Sequence, residues 1–341
     1  MRFNLQRKSP SAYFRPSISL LALILFSFVS ALAQGKDYTR IVVFGDSLSD
    51  TGNVAHLSQE KYGIRIPGTP ADYTDGRFTD GYDTIPAARQ YFGVWIEQFA
   101  AAMPSHPDVT NSLDGGTNYA YGFATTGSGT GAFTFGPGDS LSVDVENMGQ
   151  QITDYLATKP KINNSTLFVI WGGANDLIHA TDANAIAIAA IQEAADIQRL
   201  IQAGATQFLV LNLPPLGLIP RLNGSPATAV PATMAAELFN AYLASGLSAL
   251  HDFYPGRHIA VFQVDVFTLF NQIVSAPATF SFANITASSQ GSAAVNPDTY
   301  LFWDDLHPTT HGHSIVSAAA LNAVSSPQCD SLGMPSCAAV R

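Results

Sequence analysis

The sequence contains few cysteines and few basic residues. Of 341 residues only two are cysteines, and 16 lysines and arginines stand against 26 aspartates and glutamates. Cys329 and Cys337 have no CxxC partner and no neighbouring histidine, which argues against a thiol nucleophile or a zinc site. The acidic balance argues against a polyanionic partner such as nucleic acid, and it keeps an exported protein soluble.

Apolar runs long enough to span a membrane are also missing. The apolar run of residues 18–29 is too short for a comfortable span. Because basic residues precede it and Ala31-Leu32-Ala33 follows it, residues 1–33 are predicted to be a signal peptide that is removed on export. The alternative is an uncleaved N-terminal anchor. The expected location is the cell exterior or the periplasm.

Residues 34–341 are predicted to form a single domain. Loss of the four basic residues of the signal segment leaves a net charge of −14. A chain of this length buries a core that needs no cross-links, and no internal repeat or charged linker divides it. In an exported protein, Cys329 and Cys337 are predicted to form one disulfide that closes a tail loop. A monomer without a membrane span is expected.

Short apolar runs alternate with helical patterns along the chain. Buried strands are predicted at residues 40–44, 166–171, 207–213 and 258–266, with a weaker candidate at 118–120. Helices are predicted at residues 94–103, 143–158, 182–203, 232–253 and 308–324. This alternation predicts a three-layer α/β/α domain, doubly wound around a mainly parallel five-stranded sheet. The site of such a domain lies at the carboxyl ends of the strands.

A serine directly follows the first predicted strand. The segment FGDSLSD places Ser47 where this architecture exposes a hydroxyl to the ligand crevice. Taken alone, such a serine is more often a helix N-cap than a nucleophile. The segment WDDLHP, just before the last predicted helix, supplies Asp304 and His307 on one turn. The carboxylate can hold the imidazole Nδ1 proton while Nε2 accepts a proton from serine. The alternative roles are a helix cap for Asp304 and a surface imidazole for His307.

Two further segments offer donors for a developing oxyanion. In GTNYAYG the backbone N–H of Gly122 is not shielded by a side chain, and in GGAND the side-chain amide of Asn175 can donate. Each segment alone is ordinary loop chemistry. Together with Ser47, Asp304 and His307 they predict acyl transfer through a serine nucleophile.

These four segments, in this order, resemble the GDSL or SGNH hydrolase family. Ser47, Gly122, Asn175 and His307 match the family's catalytic Ser, Gly, Asn and His, and Asp304 completes its DxxH pair. The resemblance implies a flavodoxin-like fold and ester hydrolysis through an acyl-enzyme. It also implies an oxyanion hole made by the N–H groups of Ser47 and Gly122 with Asn175, and no cofactor.

The chain looks closest to the secreted lipase, phospholipase and hemolysin-like branch, which shares the segment GRFTDG at residues 76–81. Two features depart from that branch. Phe123 replaces the second glycine of its NYAxGGA segment, so its ring either narrows the acyl pocket or packs in the core. Residues 82–93 look like an insert, which either walls the substrate cleft or is a tolerated surface loop.

Other readings are weaker. The GxSxG elbow of α/β-hydrolases and the HExxH metal motif are absent, and the glycines of residues 127–138 lack the lysine of a phosphate loop. A metal site at His307, His311 and His313 is therefore disfavoured. A non-catalytic sugar-binding or adhesive protein is the alternative of another class. The expected substrate is a small-molecule, lipid or acylated-glycan ester, so phospholipase and polysaccharide O-acetylesterase activities stay open.

Overall fold

The structure is a computed structural model, and it describes residues 36–68, 73–81, 91–136, 138, 140–180, 182–291 and 295–325. The predicted signal peptide, the predicted Cys329–Cys337 disulfide and most of the 82–93 insert lie outside these residues.

The strands of the described residues are β1 (Arg40–Gly45), β2 (Thr130–Phe135), β3 (Leu141–Glu146), β4 (Thr166–Trp171), β5 (Gln207–Leu211), β6 (Ala260–Val264), β7 (Asn284–Ser288) and β8 (Tyr300–Phe302). The α-helices are α1 (Asn53–Tyr62), α2 (Trp95–Ala102), α3 (Met148–Ala157), α4 (Ala174–His179), α5 (Ala183–Gln202), α6 (Pro226–Phe253), α7 (Val266–Ser275) and α8 (Thr310–Ser325).

The central sheet is parallel, with the strand order β1-β4-β5-β6. A short segment around Asn118 lies on the other side of β1: Tyr119 donates its N–H to the C=O of Val43 at 2.8 Å, and Tyr121 donates to Gly45 at 3.2 Å. In chain order the arrangement is second, first, third, fourth, fifth, which is the flavodoxin-like order. The predicted three-layer, doubly wound fold is therefore confirmed.

The edge segment around Asn118, predicted as a strand at residues 118–120, forms less of a strand than predicted. Only Asn118 pairs with β1 as a bridge. The backbone oxygens of Asn118 and Ala120 accept hydrogen bonds from the side-chain amide of Asn53 at 2.9 Å, and the side-chain oxygen of Asn118 accepts from the N–H of Ala120. Side-chain amides thus bind the backbone N–H and C=O groups that a longer strand would pair with a neighbouring strand.

The strands have continuous apolar sequences because helices cover both faces of the sheet. On one face, Ile41 and Val43 of β1 pack with buried residues of α2, α7 and α8. On the other face, Val42 and Phe44 pack with α3, α5 and α6. Every residue of β4 is buried, which explains why its predicted and observed bounds are the same.

Several elements differ from the prediction. The helix predicted at residues 143–158 is in fact strand β3 followed by α3, and β3 pairs with β2 in an antiparallel hairpin. Helix α6 begins six residues before its predicted start, with Pro226 at its first position, where the missing N–H costs nothing. Helices α1, α4 and α7 were not predicted. They have at most ten residues, which is short for a periodic signal.

Gln151 of α3 holds the end of β1 in place. Its side chain is fully buried. It accepts a hydrogen bond from the N–H of Gly45 at 3.0 Å and donates to the C=O groups of Gly45 and Glu146, both at 2.9 Å. The end of β1 is therefore fixed by one amide from a neighbouring helix.

We expect Gln151→Met to lower the free energy of unfolding by about 1–3 kcal/mol, because the buried N–H of Gly45 loses its acceptor. Urea denaturation followed by circular dichroism measures the change. Gln59→Met, at an exposed position of α1, is the matched control and should change stability by less than about 0.5 kcal/mol. An equal loss in both variants would contradict the assignment.

Candidate active site

Ser47 lies on a tight turn at the carboxyl end of β1. The C=O of Asp46 accepts the N–H groups of Ser49 and Asp50, both at 3.0 Å, and the Asp46 carboxylate accepts the N–H of Leu48 at 3.0 Å. Ser47 keeps only 9% of its surface exposed. Its own N–H donates to no other described residue, and Ser47 lines the cavity that it shares with His307.

The structure brings Ser47, His307 and Asp304 together. His307 Nε2 lies 2.9 Å from the hydroxyl oxygen of Ser47, and Nδ1 lies 2.7 Å from Oδ2 of Asp304. The other oxygen of Asp304 accepts the N–H groups of Leu306 at 2.7 Å and His307 at 2.6 Å. The carboxylate therefore fixes both the backbone and the ring of His307, and this geometry suits proton transfer from serine to imidazole.

Tyr73 is a residue of this site that the sequence analysis missed. Its hydroxyl donates to Oδ2 of Asp304 at 2.8 Å, and its ring packs edge-on against Trp303 with centroids 6.0 Å apart. Tyr73 precedes Asp304 by 231 positions. No local pattern signals a contact over that separation; only the neighbouring GRFTDG segment marks the region.

The GRFTDG segment supports the loop that carries His307. The ring of Phe78 lies 5.2 Å from the imidazole of His307, and Thr79 donates its hydroxyl to the C=O of Pro308 at 3.0 Å. The Asp80 carboxylate accepts the N–H and the hydroxyl of Thr310, the first residue of α8. This segment therefore binds the start of α8 and the face of His307 at once.

The predicted oxyanion donors differ in their availability. Asn175 lines the same cavity as Ser47 and His307, and one N–H of its amide is donated to the C=O of Ala124 at 2.9 Å. Since a side-chain amide has two N–H groups, the second stays available. The N–H of Gly122 is instead donated to the buried carboxylate of Asp50 at 2.9 Å. Gly122 is therefore not a free donor, contrary to the prediction.

Phe123, the residue after Gly122, lies in a tight turn. The N–H of Ala124 bonds the C=O of Tyr121 at 3.2 Å, and Phe123, the third residue of this turn, has a φ of 73°. A positive φ at that position is typical of type II turns and favours glycine. Its N–H donates to no other described residue. A side chain on Gly122 would collide with the ring of Phe78, 2.3 Å away.

The ring of Phe123 does not line the cavity beside Ser47 and packs, partly buried, against the hydrophobic cluster that contains Phe78 and Phe135. It lies partly exposed, 5.8 Å from the ring of His179 and 6.3 Å from that of Phe133. The acyl-pocket reading of Phe123 is therefore not supported by its position.

The carboxylates of the site differ in charge. Burial opposes ionisation of Asp304, but His307 and two backbone N–H groups outweigh it and lower the pKa of Asp304 to about 2. Burial raises the pKa of Asp50 to about 6, although four backbone N–H groups offset part of that rise. Burial also raises the pKa of Asp46 to about 7. Asp304 is thus the carboxylate that stays ionised beside His307.

His311 and His313, which follow His307 in the sequence, have surroundings of their own and do not line the cavity beside Ser47. His311 Nδ1 lies 2.6 Å from the C=O of Asp298, and its ring stacks on Tyr91 at 4.5 Å. His313 is fully buried, and burial lowers its pKa to about 3, so it is neutral near pH 7. Within the described part of the chain, no three histidine, cysteine or acidic side chains group closely enough to hold a metal ion.

Residues 41–320 match the model of a protein family described as GDSL-like lipase/acylhydrolase. The chain therefore belongs to this family of esterase and lipase hydrolases, and the resemblance carried by its four segments is confirmed.

Two relatives and one solved structure illustrate the similarity. The thermolabile hemolysin of Vibrio parahaemolyticus is 26% identical over 318 residues, which cover 86% of this chain and 65% of the hemolysin. The phosphatidylcholine-sterol acyltransferase of Aeromonas hydrophila is 25% identical over 362 residues, which cover 91% of this chain and 96% of the acyltransferase. A crystal structure of a lipolytic G-D-S-L family protein from Veillonella parvula matches with 13% sequence identity and a TM-score of 0.42. The match covers 83% of this chain and 96% of the Veillonella protein.

None of the helices within the described ranges is both long enough and apolar enough to cross a membrane.

We expect Asp46→Asn to remove a pH-dependent loss of stability. Burial raises the folded-state pKa of Asp46 to about 7, well above the ordinary value of 3.8. The folded protein therefore binds the proton more tightly than the unfolded chain. Stability should fall as the pH rises from about 4 to about 7, by up to about 1.4 kcal/mol per pH unit, and level off above. Asparagine keeps the acceptor for Leu48 without the charge.

Urea denaturation at pH 5 and pH 8 tests this expectation. The gain in unfolding free energy of Asp46→Asn over the wild type should be larger at pH 8, whereas Asp252→Asn, at an exposed position of α6, should show no such difference. A gain that is the same at both pH values would contradict it.

Proposed function

We propose that the protein is a serine ester hydrolase whose nucleophile is Ser47, whose general base is His307 and whose orienting carboxylate is Asp304. The observation that supports this most directly is the continuous relay from the Ser47 hydroxyl to His307 Nε2, 2.9 Å, and from Nδ1 to Asp304, 2.7 Å. A non-catalytic binding protein has no need of such a relay.

The reaction takes two steps. The Ser47 oxygen attacks the ester carbonyl as its proton passes to His307 Nε2, and the imidazolium is stabilised by ionised Asp304. His307 then gives the proton to the departing alcohol, leaving the acyl group on Ser47. A water molecule that loses its proton to His307 attacks this acyl-enzyme, and the acid leaves as Ser47 regains its proton. No step needs a cofactor.

The negative charge on the carbonyl oxygen is stabilised, in this proposal, by the N–H groups of Ser47 and Phe123 and by the side-chain amide of Asn175. Gly122 has a positioning role: its N–H binds Asp50 and its missing side chain admits Phe78. The same turn thereby leaves the next N–H free. Donors fixed in advance around the oxyanion are typically the largest contribution to such catalysis.

Carboxylic esters are the proposed substrates. The name of the Aeromonas relative, a phosphatidylcholine-sterol acyltransferase, keeps phospholipid esters as a second candidate. We also propose that residues 1–33 direct export, that residues 34–341 form one catalytic domain, and that the protein acts as a secreted or periplasmic monomer. The N-terminal pattern supports export.

Ser47→Ala should abolish turnover of p-nitrophenyl esters, lowering kcat by about 10⁴-fold or more, because no other group supplies the nucleophile. A fluorophosphonate probe should label the wild type but not this variant, with the modified peptide containing Ser47. Ser275→Ala, an exposed serine at the end of α7, serves as the control and should keep full activity and labelling. Wild-type rates in Ser47→Ala would exclude the mechanism.

Asn175→Ala should lower kcat by about 10²–10³-fold with little change in KM, because an oxyanion donor acts mainly in the transition state. Asn184→Ala, on the exposed surface of α5, is the matched control and should behave as the wild type. If Asn175→Ala instead raises KM and leaves kcat unchanged, Asn175 binds the substrate but does not stabilise the oxyanion. Denaturation curves of both variants separate these outcomes from a loss of folding.

A further inference from the structure

A small cavity opens directly beside Ser47. Ser47, Asn175 and His307 form its polar wall, and its apolar lining includes Trp171, Ile178, Leu216, Ile219, Phe270 and Phe302. Its volume is about 50 Å³. One water-sized group needs about 10–15 Å³ of cavity volume. The cavity therefore has room for roughly four water-sized groups.

This cavity suits the acyl side of an ester better than the alcohol side. In the proposed reaction the acyl group stays bound to Ser47 through both steps, whereas the alcohol must take a proton from His307 and leave. An apolar lining stabilises a hydrocarbon chain and offers little to a polar leaving group. We call this space the inner cavity.

A second, larger space lies on the outer surface beside α4 and α6. It has a volume of about 800 Å³ and is open to solvent. Its lining is mostly apolar and includes Leu177, Ile178, Ile186, Met234 and Leu238. We call it the outer groove. Ile178 belongs to the walls of both spaces.

The position of Ile178 is fixed relative to the reaction centre. Ile178 lies on α4, three residues after Asn175, and residues at that spacing share one face of a helix. Helix α4 begins after Gly173, whose φ is 98°, and a side chain on Gly173 would meet the ring of Phe239 on α6 at 2.4 Å. Close packing on α6 therefore places Ile178 between the two spaces.

We propose that Ile178 determines acyl-chain length: its side chain closes the inner cavity toward the outer groove, so that the protein prefers esters of short acyl chains. This inference rests on the proposed role of Ser47. Shortening the side chain joins the two spaces and gives a longer chain an apolar path to the surface.

The first test measures kcat/KM of Ile178→Ala on p-nitrophenyl esters from acetate to decanoate. The ratio of decanoate to butyrate turnover should rise by about tenfold or more, since each newly buried methylene contributes about fourfold. Ile188→Ala, the same change at an exposed position of α5 that lines neither space, should keep the wild-type ratio.

The second test measures binding alone, in a protein that also carries Ser47→Ala and cannot turn over. Calorimetric titration uses the p-nitrophenyl esters of butyrate and decanoate. Adding Ile178→Ala should tighten binding of the decanoate ester by about tenfold and leave binding of the butyrate ester nearly unchanged. This readout does not depend on catalysis. Absence of Ser47-dependent hydrolysis would therefore overturn the proposed function without deciding the role of Ile178.

Two results would overturn the role of Ile178. One is a wild type that already prefers decanoate to butyrate. The other is a folded Ile178→Ala protein whose decanoate preference and decanoate affinity both equal those of the wild type.

Discussion

Hydrogen bonds from backbone N–H groups to buried carboxylates hold this site together. Asp50 accepts N–H groups from the start of α1 and from Gly122, and Asp304 accepts two from the loop that carries His307. Bonds to a charged acceptor are stronger than those between neutral groups. Three loops that are distant in sequence are thus fixed around one point. The parallel sheet places the loop ends nearby, and the carboxylates set their final positions.

The sequence was sufficient where one physical signal dominated. The sheet strands were predictable because both faces are buried, which leaves a run of apolar residues with turn signals on either side. Residues 143–158 misled the prediction because β3 runs almost directly into α3, and their combined apolar pattern imitates one long helix. The short β2–β3 hairpin packs against Val54 and Phe78 outside the sheet, and its glycine-rich sequence concealed it.

The site was predictable in its residues and less so in its bonds. Ser47 and His307 were identifiable because each sits at the carboxyl edge of the sheet in a distinctive segment. That the N–H of Gly122 is donated to Asp50 depends on where a carboxylate oxygen points, which no segment states. One signal was available. The hemolysin-like branch of the family has glycine where this chain has Phe123, which indicates a turn with a positive φ at its third residue, and the backbone N–H of that third residue was the one to consider. Tyr73 carried no comparable signal.

The left-handed backbone of Phe123 has a consequence for engineering. A residue with a side chain pays about 1–2 kcal/mol to adopt this conformation, whereas glycine does not. The aromatic ring, which lies outside the cavity beside Ser47, is therefore kept against a steady loss of stability. Glycine at this position would keep the backbone N–H and lose only the ring, so a laboratory selection for heat tolerance is expected to accept it.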